Sequence, residues 1–274
     1  MSPKPNSRRL DVAVAQAAAI SRERAQALIM AGKVSVDGET MTKAGASVGE
    51  DARIDVRDDA RFVSRGGVKL ERALDDFGWT VDGLVCLDVG ASTGGFTDCL
   101  LQRGAASVTA IDVGYGQIAW ALRNDPRVKV IERCNFRLAT PAKIGAPFDF
   151  ACADVSFISL AKLARAFREA LRQGARFVGL VKPQFEAGKD AVGRGGVVRD
   201  PAVHATAIGL AAHALNEAGL TPTRLTHSPL TGPAGNIEFL IGAIADDARD
   251  RTSDVLARLE AERVVAAAHE ALAR

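Results

Sequence analysis

The chain has 274 residues, 47% of them hydrophobic and 25% charged, with a formal net charge of +2. This is an ordinary globular composition, large enough for one sizeable core or two modest domains, and it excludes a low-complexity chain. No apolar signal segment follows Met1-Ser2-Pro3-Lys4-Pro5, and no run nears the roughly 18 apolar residues of a membrane span, so a cytoplasmic protein without a membrane partner is expected.

Residues 1–57 form the first expected unit. A helix is predicted from Arg8-Arg9-Leu10-Asp11, and Ser21 caps a second one that stops at Gly32. A strand then runs through Val34-Ser35-Val36 into an Asp37-Gly38 turn, and Ala52–Val56 supplies a further strand. Cations gather on the two helices, including Lys4, Arg8, Arg9, Arg22, Arg24 and Lys33, whereas acids dominate residues 36–60. Near-neutral overall charge neither demands nor excludes nucleic acid, but a basic helical face favours it.

Residues 58–65 read as a linker, and 66–274 as a larger unit. Strands are predicted at 84–89, 107–112, 127–131, 148–153, 176–181, 222–227 and 236–243. Helices are predicted at 67–77, 95–103, 115–123, 159–172, 202–218 and 253–272, the last packing on the sheet. Such alternation predicts a parallel, doubly wound α/β sheet with its ligands at the carboxyl ends of the strands.

The first of these strands ends in Asp88-Val89-Gly90-Ala91-Ser92-Thr93-Gly94-Gly95-Phe96. A glycine-rich turn between strand and helix lets backbone pass close to a ligand. The next strand ends at Asp112, where nucleotide-binding folds place a carboxylate on ribose hydroxyls. Three ligands compete. The glycine spacing departs from G-x-G-x-x-G and disfavours a dinucleotide. Gly90-Ala91-Ser92-Thr93-Gly94 fits a nucleophile elbow literally. S-adenosylmethionine, with no pyrophosphate, needs close backbone approach and a ribose carboxylate. It is favoured, with Asp88, Gly90, Ala91, Ser92, Thr93, Gly94, Gly95, Phe96, Asp112 and Asp154 around it.

Two further strands run out at Asp154 and Lys182, and Glu238 interrupts an apolar strand. Lys69 precedes the first core strand. Charges in such places are costly unless paired, so Lys182 with Asp154, and Lys69 with Glu238, are the expected pairs. Residues 186–201 carry Lys189, Arg194 and Arg199 among glycines and read as a mobile basic loop fit to hold RNA phosphate. Arg65 joins that expected RNA-facing set. Cys86, Cys99, Cys134 and Cys152 lack C-x-x-C pairing and read as buried thiols. His204, His213, His227 and His269 show no metal-ligand spacing, and no metal is expected.

Two resemblances follow from these motifs. Arg9-Leu10-Asp11, Ser21–Gln26, Gly32-Lys33-Val34 and Val36-Asp37-Gly38 resemble the S4 domain, an RNA-binding unit, which implies that Arg9, Arg22, Arg24, Gln26 and Lys33 face RNA phosphates. Ser64–Leu70, Asp88–Thr97, Asp154–Ser159, Val181–Glu186 and Gly195–Asp200 resemble the FtsJ-like RNA ribose 2′-O-methyltransferases. The whole chain is similar to the TlyA family, which joins the two. The fold so implied is a small α+β S4-like domain followed by a Rossmann-like, S-adenosylmethionine-dependent methyltransferase domain. The FtsJ-like catalytic tetrad maps onto Lys69, Asp154, Lys182 and Glu238. In it Lys182 would act on the ribose hydroxyl, with Lys69 as the neighbouring cation. Thr93, where many FtsJ-like chains carry proline, is a departure that TlyA-like chains share.

The implied activity is methylation of cytidine riboses in ribosomal RNA within ribosomal subunits: 23S and, in one subgroup, also 16S. Three rivals remain at this stage. Some TlyA-like chains carry a haemolysin label, which raises a membrane-active cytolysin. Ser92 raises a serine hydrolase. An RNA-binding assembly factor without catalysis is the third. The sequence sets neither the modified nucleotide nor the oligomeric state.

Overall fold

The computed structural model describes residues 7–18, 20–56, 61–188, 191–246 and 251–272, with only the backbone described at 194 and 251–260. They form two compact units, one of residues up to Arg61 with Ala119–Asn124, the other of Phe62–Ile118 and Asp125 onward.

The first unit opens with a short strand, β1 (Ser7–Arg9), followed by helices α1 (Leu10–Ala17) and α2 (Arg22–Met30). Strands β2 (Val34–Val36), β3 (Glu39–Met41), β4 (Ser47–Gly49) and β5 (Ile54–Val56) complete it. The helix expected from Arg8 therefore starts later. Ser7–Arg9 is extended because it pairs antiparallel with Ser47–Gly49, a strand that local pattern did not reveal. The Ser21 hydroxyl accepts the Arg24 N–H at 3.2 Å and fixes the start of α2. Asp37 and Gly38 both have positive φ, as a tight two-residue hairpin between β2 and β3 requires. Leu10, Val14, Ala25, Leu28, Ile29, Val34 and Val48 are buried together beneath the helices.

The second unit begins with Phe62–Arg65, which the sequence assigned to the linker. Phe62 is buried, and the Val63 N–H donates to Asp98 Oδ2 at 2.8 Å. Residues 57–60 lie outside the described residues. The elements then run α3 (Gly66–Phe77), β6 (Val85–Val89), α4 (Gly95–Gln102), β7 (Ser107–Ile111), the short α5 (Trp120–Arg123, grouped with the first unit), β8 (Val128–Ile131), α6 (Pro141–Ile144), β9 (Phe148–Ala153), α7 (Ala164–Ala170), β10 (Leu171–Val181), α8 (Pro183–Glu186), α9 (Pro201–Glu217), β11 (Leu220–His227), β12 (Phe239–Ala245) and α10 (Arg251–Leu272).

Seven strands form one sheet in the order β11-β12-β10-β9-β6-β7-β8. Strands β10, β9, β6, β7 and β8 are parallel, as expected. The sheet is nevertheless mixed, since β12 is antiparallel to both β10 and β11. The reason lies in the connection: β11 passes to β12 through a loop without a helix, and a parallel strand needs a long crossover. This reversal matters for function. Val181 pairs with Phe239, so the start of β12 meets the end of β10 at one sheet edge. Glu238 is thereby placed at that edge, just before the strand rather than inside it.

Two helical expectations shrink. The one over 115–123 is reduced to α5, and that over 159–172 to a 3₁₀ turn at Leu160–Lys162 followed by α7. Leu171 already pairs with Phe148 and belongs to β10. Helix α10 buries Ala261, Val265 and Ala268 in the same core as α9 residues Ile208, Ala211, Ala212 and Leu215. Phe167 anchors this core, its ring 4.6 Å from both Phe136 and Phe177. Phe167→Ala is expected to destabilise the larger unit by about 3–5 kcal/mol in denaturant unfolding, and Leu138→Ala, at an exposed position, by less than about 0.5 kcal/mol.

Candidate active site

Four charged side chains converge at the carboxyl edge of the sheet. Lys69 enters from the first turns of α3, Asp154 follows β9, Lys182 follows β10 and Glu238 precedes β12. Lys69 Nζ lies 2.5 Å from Glu238 Oε2, and their side chains are 10% and 2% exposed. Lys182 Nζ lies 2.6 Å from Asp154 Oδ1 and donates to Ser156 Oγ at 2.9 Å. Each lysine thus has its own carboxylate, and the two cations are not left to face one another uncompensated. All four groups line one cavity of about 300 Å³, with Arg65, Ser156, Pro233 and the glycine loop.

The glycine loop shapes the cavity wall. Gly90 has φ +84, and a Cβ there would run into the Asp154 carbonyl, so only glycine lets β6 and β9 release their chains this close together. Ser92 is also left-handed at φ +48, and Gly94 at φ +96 turns the chain into α4. Ala91, Thr93, Gly95 and Phe96 line the same cavity. Asp112, at the end of β7, accepts the Ser92 N–H and the Gly114 N–H, each at 2.7 Å. It clamps the glycine loop to the turn that follows β7.

Asp112 also lines a second cavity of about 480 Å³, together with Val113, Gln117, Cys134, Asn135, Phe136, Ile158 and Leu163. Gly90, Ser92, Asp154 and Ser156 line both cavities, which therefore adjoin at the Lys182–Asp154 pair. Asp88 lines neither. It is wholly buried under the loop, where its Oδ2 accepts the Thr97 hydroxyl at 2.6 Å and its Oδ1 has no hydrogen-bond partner among the described residues. Burial pushes its carboxyl up to about 7.

The RNA-facing candidates fall into separate groups. In the first unit the Asp11 carboxylate, fully buried, gathers Arg9, Arg22 and Gln26 at 2.8–3.0 Å. Arg9, then Gln26 and Arg22, hold that carboxyl well below the usual range, while both arginines stay half-exposed. Arg24 is partly exposed and Lys33 exposed beside Gly32. In the second unit Arg65 sits exposed at the cavity lip, and Arg199 is exposed before α9. Arg194 lies in a 3₁₀ turn ending at Gly196, and Lys189 falls outside the described residues. Part of this loop is tied to the segment before β12. Asn236 ties it down, accepting the Val198 N–H and donating to the Gly196 carbonyl, both at 2.9 Å.

Sequence reasoning missed Ser156, Phe157, Asn236 and the organising role of Asp11. Phe157 is left-handed at φ +65 and 92% exposed. Its only sequence signal was its position within Asp154-Val155-Ser156-Phe157. The nucleophile elbow finds no base, for no histidine lines either cavity. His204 is buried against His269 and the Val198 carbonyl, and His227 bonds the Ser228 carbonyl. No helix among the described residues is long and apolar enough to cross a membrane.

The sequence profile of the FtsJ-like methyltransferases matches residues 62–244, and that of the S4 domain residues 8–54. The chain belongs to the FtsJ-like methyltransferase family, and within it to the TlyA family. It is 49% identical over 223 residues to a Mycobacterium tuberculosis protein named 16S/23S rRNA (cytidine-2′-O)-methyltransferase TlyA, covering 81% of this chain and 83% of that one. It is 40% identical to a Brachyspira hyodysenteriae protein named Hemolysin A, over 80% of this chain and 92% of the relative. A solved Streptococcus thermophilus structure with a provisional hemolysin name is 38% identical, with a TM-score of 0.75 and 98% of each chain covered. One architecture thus underlies both kinds of name.

The geometry yields two expected outcomes. Glu238→Ala strands Lys69 in a buried site and should cost about 3–5 kcal/mol in denaturant unfolding, most of it recovered by Lys69→Met in the same chain. The Asp88 carboxyl has a native pKa of about 7 against an ordinary 3.8, so the native state binds the extra proton between these values. Its contribution to stability is present at low pH and lost as pH rises through about 7. Thermal unfolding of Asp88→Asn, uncharged throughout, should gain on wild type between about pH 4 and pH 7 and level off above that. A gap independent of pH would mean Asp88 is ionised across the range.

Proposed function

We propose that this protein transfers a methyl group from S-adenosylmethionine to the 2′-hydroxyl of a cytidine ribose in ribosomal RNA, 23S and also 16S, acting on ribosomal subunits in the cytoplasm. The observation that carries the reading is the meeting of the two cavities at the Lys182–Asp154 pair, with Lys69–Glu238 in the same wall. The names of the M. tuberculosis relative support the substrate.

The residues fit the donor. The larger cavity has room for a nucleoside and offers the Asp112 carboxylate for ribose hydroxyls. The glycine loop at its border leaves backbone close to the ligand. Bound there, S-adenosylmethionine supplies a methyl group already activated on a sulfonium.

The chain's own groups then have three tasks. Asp112 and the glycine loop hold the donor in one orientation. Lys182, fixed by Asp154 and Ser156, stands at the acceptor oxygen and steers its proton away from the incoming methyl carbon. Lys69 and Glu238 complete the wall that holds the acceptor ribose. Alignment of the two reactants accounts for much of the rate, which is why each positioning side chain is itself pinned. The exposed Phe157 ring offers a face for an unstacked base, as single-stranded RNA recognition commonly uses. The Asp11-centred cations of the first unit suit phosphate contacts, whose strength falls steeply with salt.

The test is incubation with labelled donor and separated ribosomal subunits, followed by mapping of the label. Absence of transfer would leave an RNA-binding protein without catalysis. Lys182→Ala should lower turnover by at least about 10²-fold while donor affinity in calorimetry stays unchanged. Near-wild-type turnover would make Lys182 a structural ion-pair partner.

A further inference from the structure

One acid in the site region is not accounted for by the four charged groups. Glu186 ends the single turn of α8, which Lys182 caps and Pro183 opens, and the Phe185 N–H closes that turn onto the Lys182 carbonyl at 2.9 Å. Lys182 and Glu186 are therefore held at opposite ends of one short rigid element. The Glu186 carboxylate leaves that element and reaches the neighbouring loop, which follows β9. Its Oε2 accepts the Ser159 hydroxyl at 2.5 Å, and its Oε1 accepts the Leu160 N–H at 2.7 Å. The Ser159 hydroxyl oxygen in turn accepts the Ala161 N–H at 3.1 Å, so the carboxylate and the hydroxyl together start the 3₁₀ turn at Leu160–Lys162.

The segment so gripped needs holding. Phe157 has φ +65, a conformation that costs a bulky residue on the order of 1–3 kcal/mol unless its surroundings impose it. Its side chain supplies little of that, being 92% exposed with one ring contact, to Phe185 of α8 at 5.4 Å. Immediately before it, Ser156 presents its hydroxyl oxygen to Lys182 Nζ at 2.9 Å. Beyond it the chain is fixed at Ser159 and Leu160 by the Glu186 carboxylate. The Lys182 ammonium thus has two routes to the β9 loop. One is direct, to Asp154 and Ser156. The other runs along its own backbone through α8 to Glu186 and back.

We propose that Glu186 is a positioning residue for methyl transfer: by stapling α8 to Ser159 and Leu160 it keeps the strained turn at Phe157 in place and so holds the Ser156 hydroxyl on the Lys182 ammonium. It touches neither reactant and acts through Ser156. The inference rests on the reading of Lys182 as the group at the acceptor oxygen. Because Val155, Ser156 and Ile158 also line the donor-side cavity, donor binding must be read separately from turnover.

The experiment is a double-mutant cycle on turnover at saturating donor, with full-length protein and ribosomal subunits. The variants are Glu186→Ala, Ser156→Ala and the two together, with Lys182→Ala as reference and donor affinity measured by calorimetry for each. Glu186→Ala should lower kcat roughly tenfold, the scale of a small misplacement at a reacting centre. In the Ser156→Ala background it should add little, because the contact through which it acts is already gone. Glu186→Gln, which keeps an acceptor for Leu160 but not for Ser159, should fall between wild type and Glu186→Ala. It also carries the cycle should the alanine variant not fold. Independent, multiplying losses, or an unchanged kcat for Glu186→Gln and Glu186→Ala with Lys182→Ala inactive, would overturn the staple and leave the Lys182 reading intact. A Lys182→Ala variant with near-wild-type turnover would overturn both.

Discussion

Two ammonium groups buried at one edge of a sheet are tolerated only if each has a carboxylate within contact distance, and the architecture of the larger unit satisfies that requirement. A lone charge in such a place would cost several kcal/mol, so the partners cannot drift. Asp154 and Lys182 reach each other because β9 and β10 are neighbouring parallel strands whose ends fall side by side. Glu238 reaches Lys69 because β12 runs the other way and begins where β10 ends. A parallel seventh strand would have put Glu238 at the opposite edge. The antiparallel strand, which adds nothing to the parallel core in the way of regularity, is what brings the fourth charge to the site.

Around these pairs the glycine loop and Asp112 form a second layer of constraint. Gly90 is excluded from carrying a side chain by the Asp154 carbonyl, so the loop and the acid that border both cavities are fitted to each other. Asp112 spends both oxygens on backbone N–H groups and holds the loop at a set distance from the turn after β7. Asp88 sits beneath, buried and pushed towards neutrality, with Thr97 of α4 as its donor. Short polar contacts fix the backbone here alongside the buried Val89, Ala91 and Phe96. The first unit repeats the theme on a smaller scale. Asp11 pre-arranges Arg9, Arg22 and Gln26 with their outer faces in solvent, which lowers the ordering cost of a phosphate contact.

Much of this was legible in the sequence, for identifiable reasons. Asp154 and Lys182 stood out because a charge ended an apolar run, and the strand-end rule then placed both at one edge. The glycine loop and Asp112 were readable because their spacing is local. Glu238 was found for a reason that the structure revises: it precedes β12 rather than interrupting it. The direction of β12 was not readable, since strand orientation is set by its connection and partners rather than by its own residues. The same holds for Ser7–Arg9, extended by pairing with Ser47–Gly49 against a helical local pattern, and for Leu171, drawn into β10 by Phe148. Ser156, Asn236 and Glu186 were invisible for another reason. They act through hydrogen bonds between loops distant in sequence, and no periodicity or spacing records such bonds.

The central claim is that the acceptor at the Lys182–Asp154 pair is a ribose oxygen. Alkaline hydrolysis of the product RNA reads this directly, because cleavage needs a free 2′-hydroxyl and stops where that oxygen carries a methyl group. After transfer from labelled donor, the account predicts label in alkali-resistant dinucleotides whose first residue is cytidine. Label recovered in single nucleotides would place the methyl group on a base and contradict it.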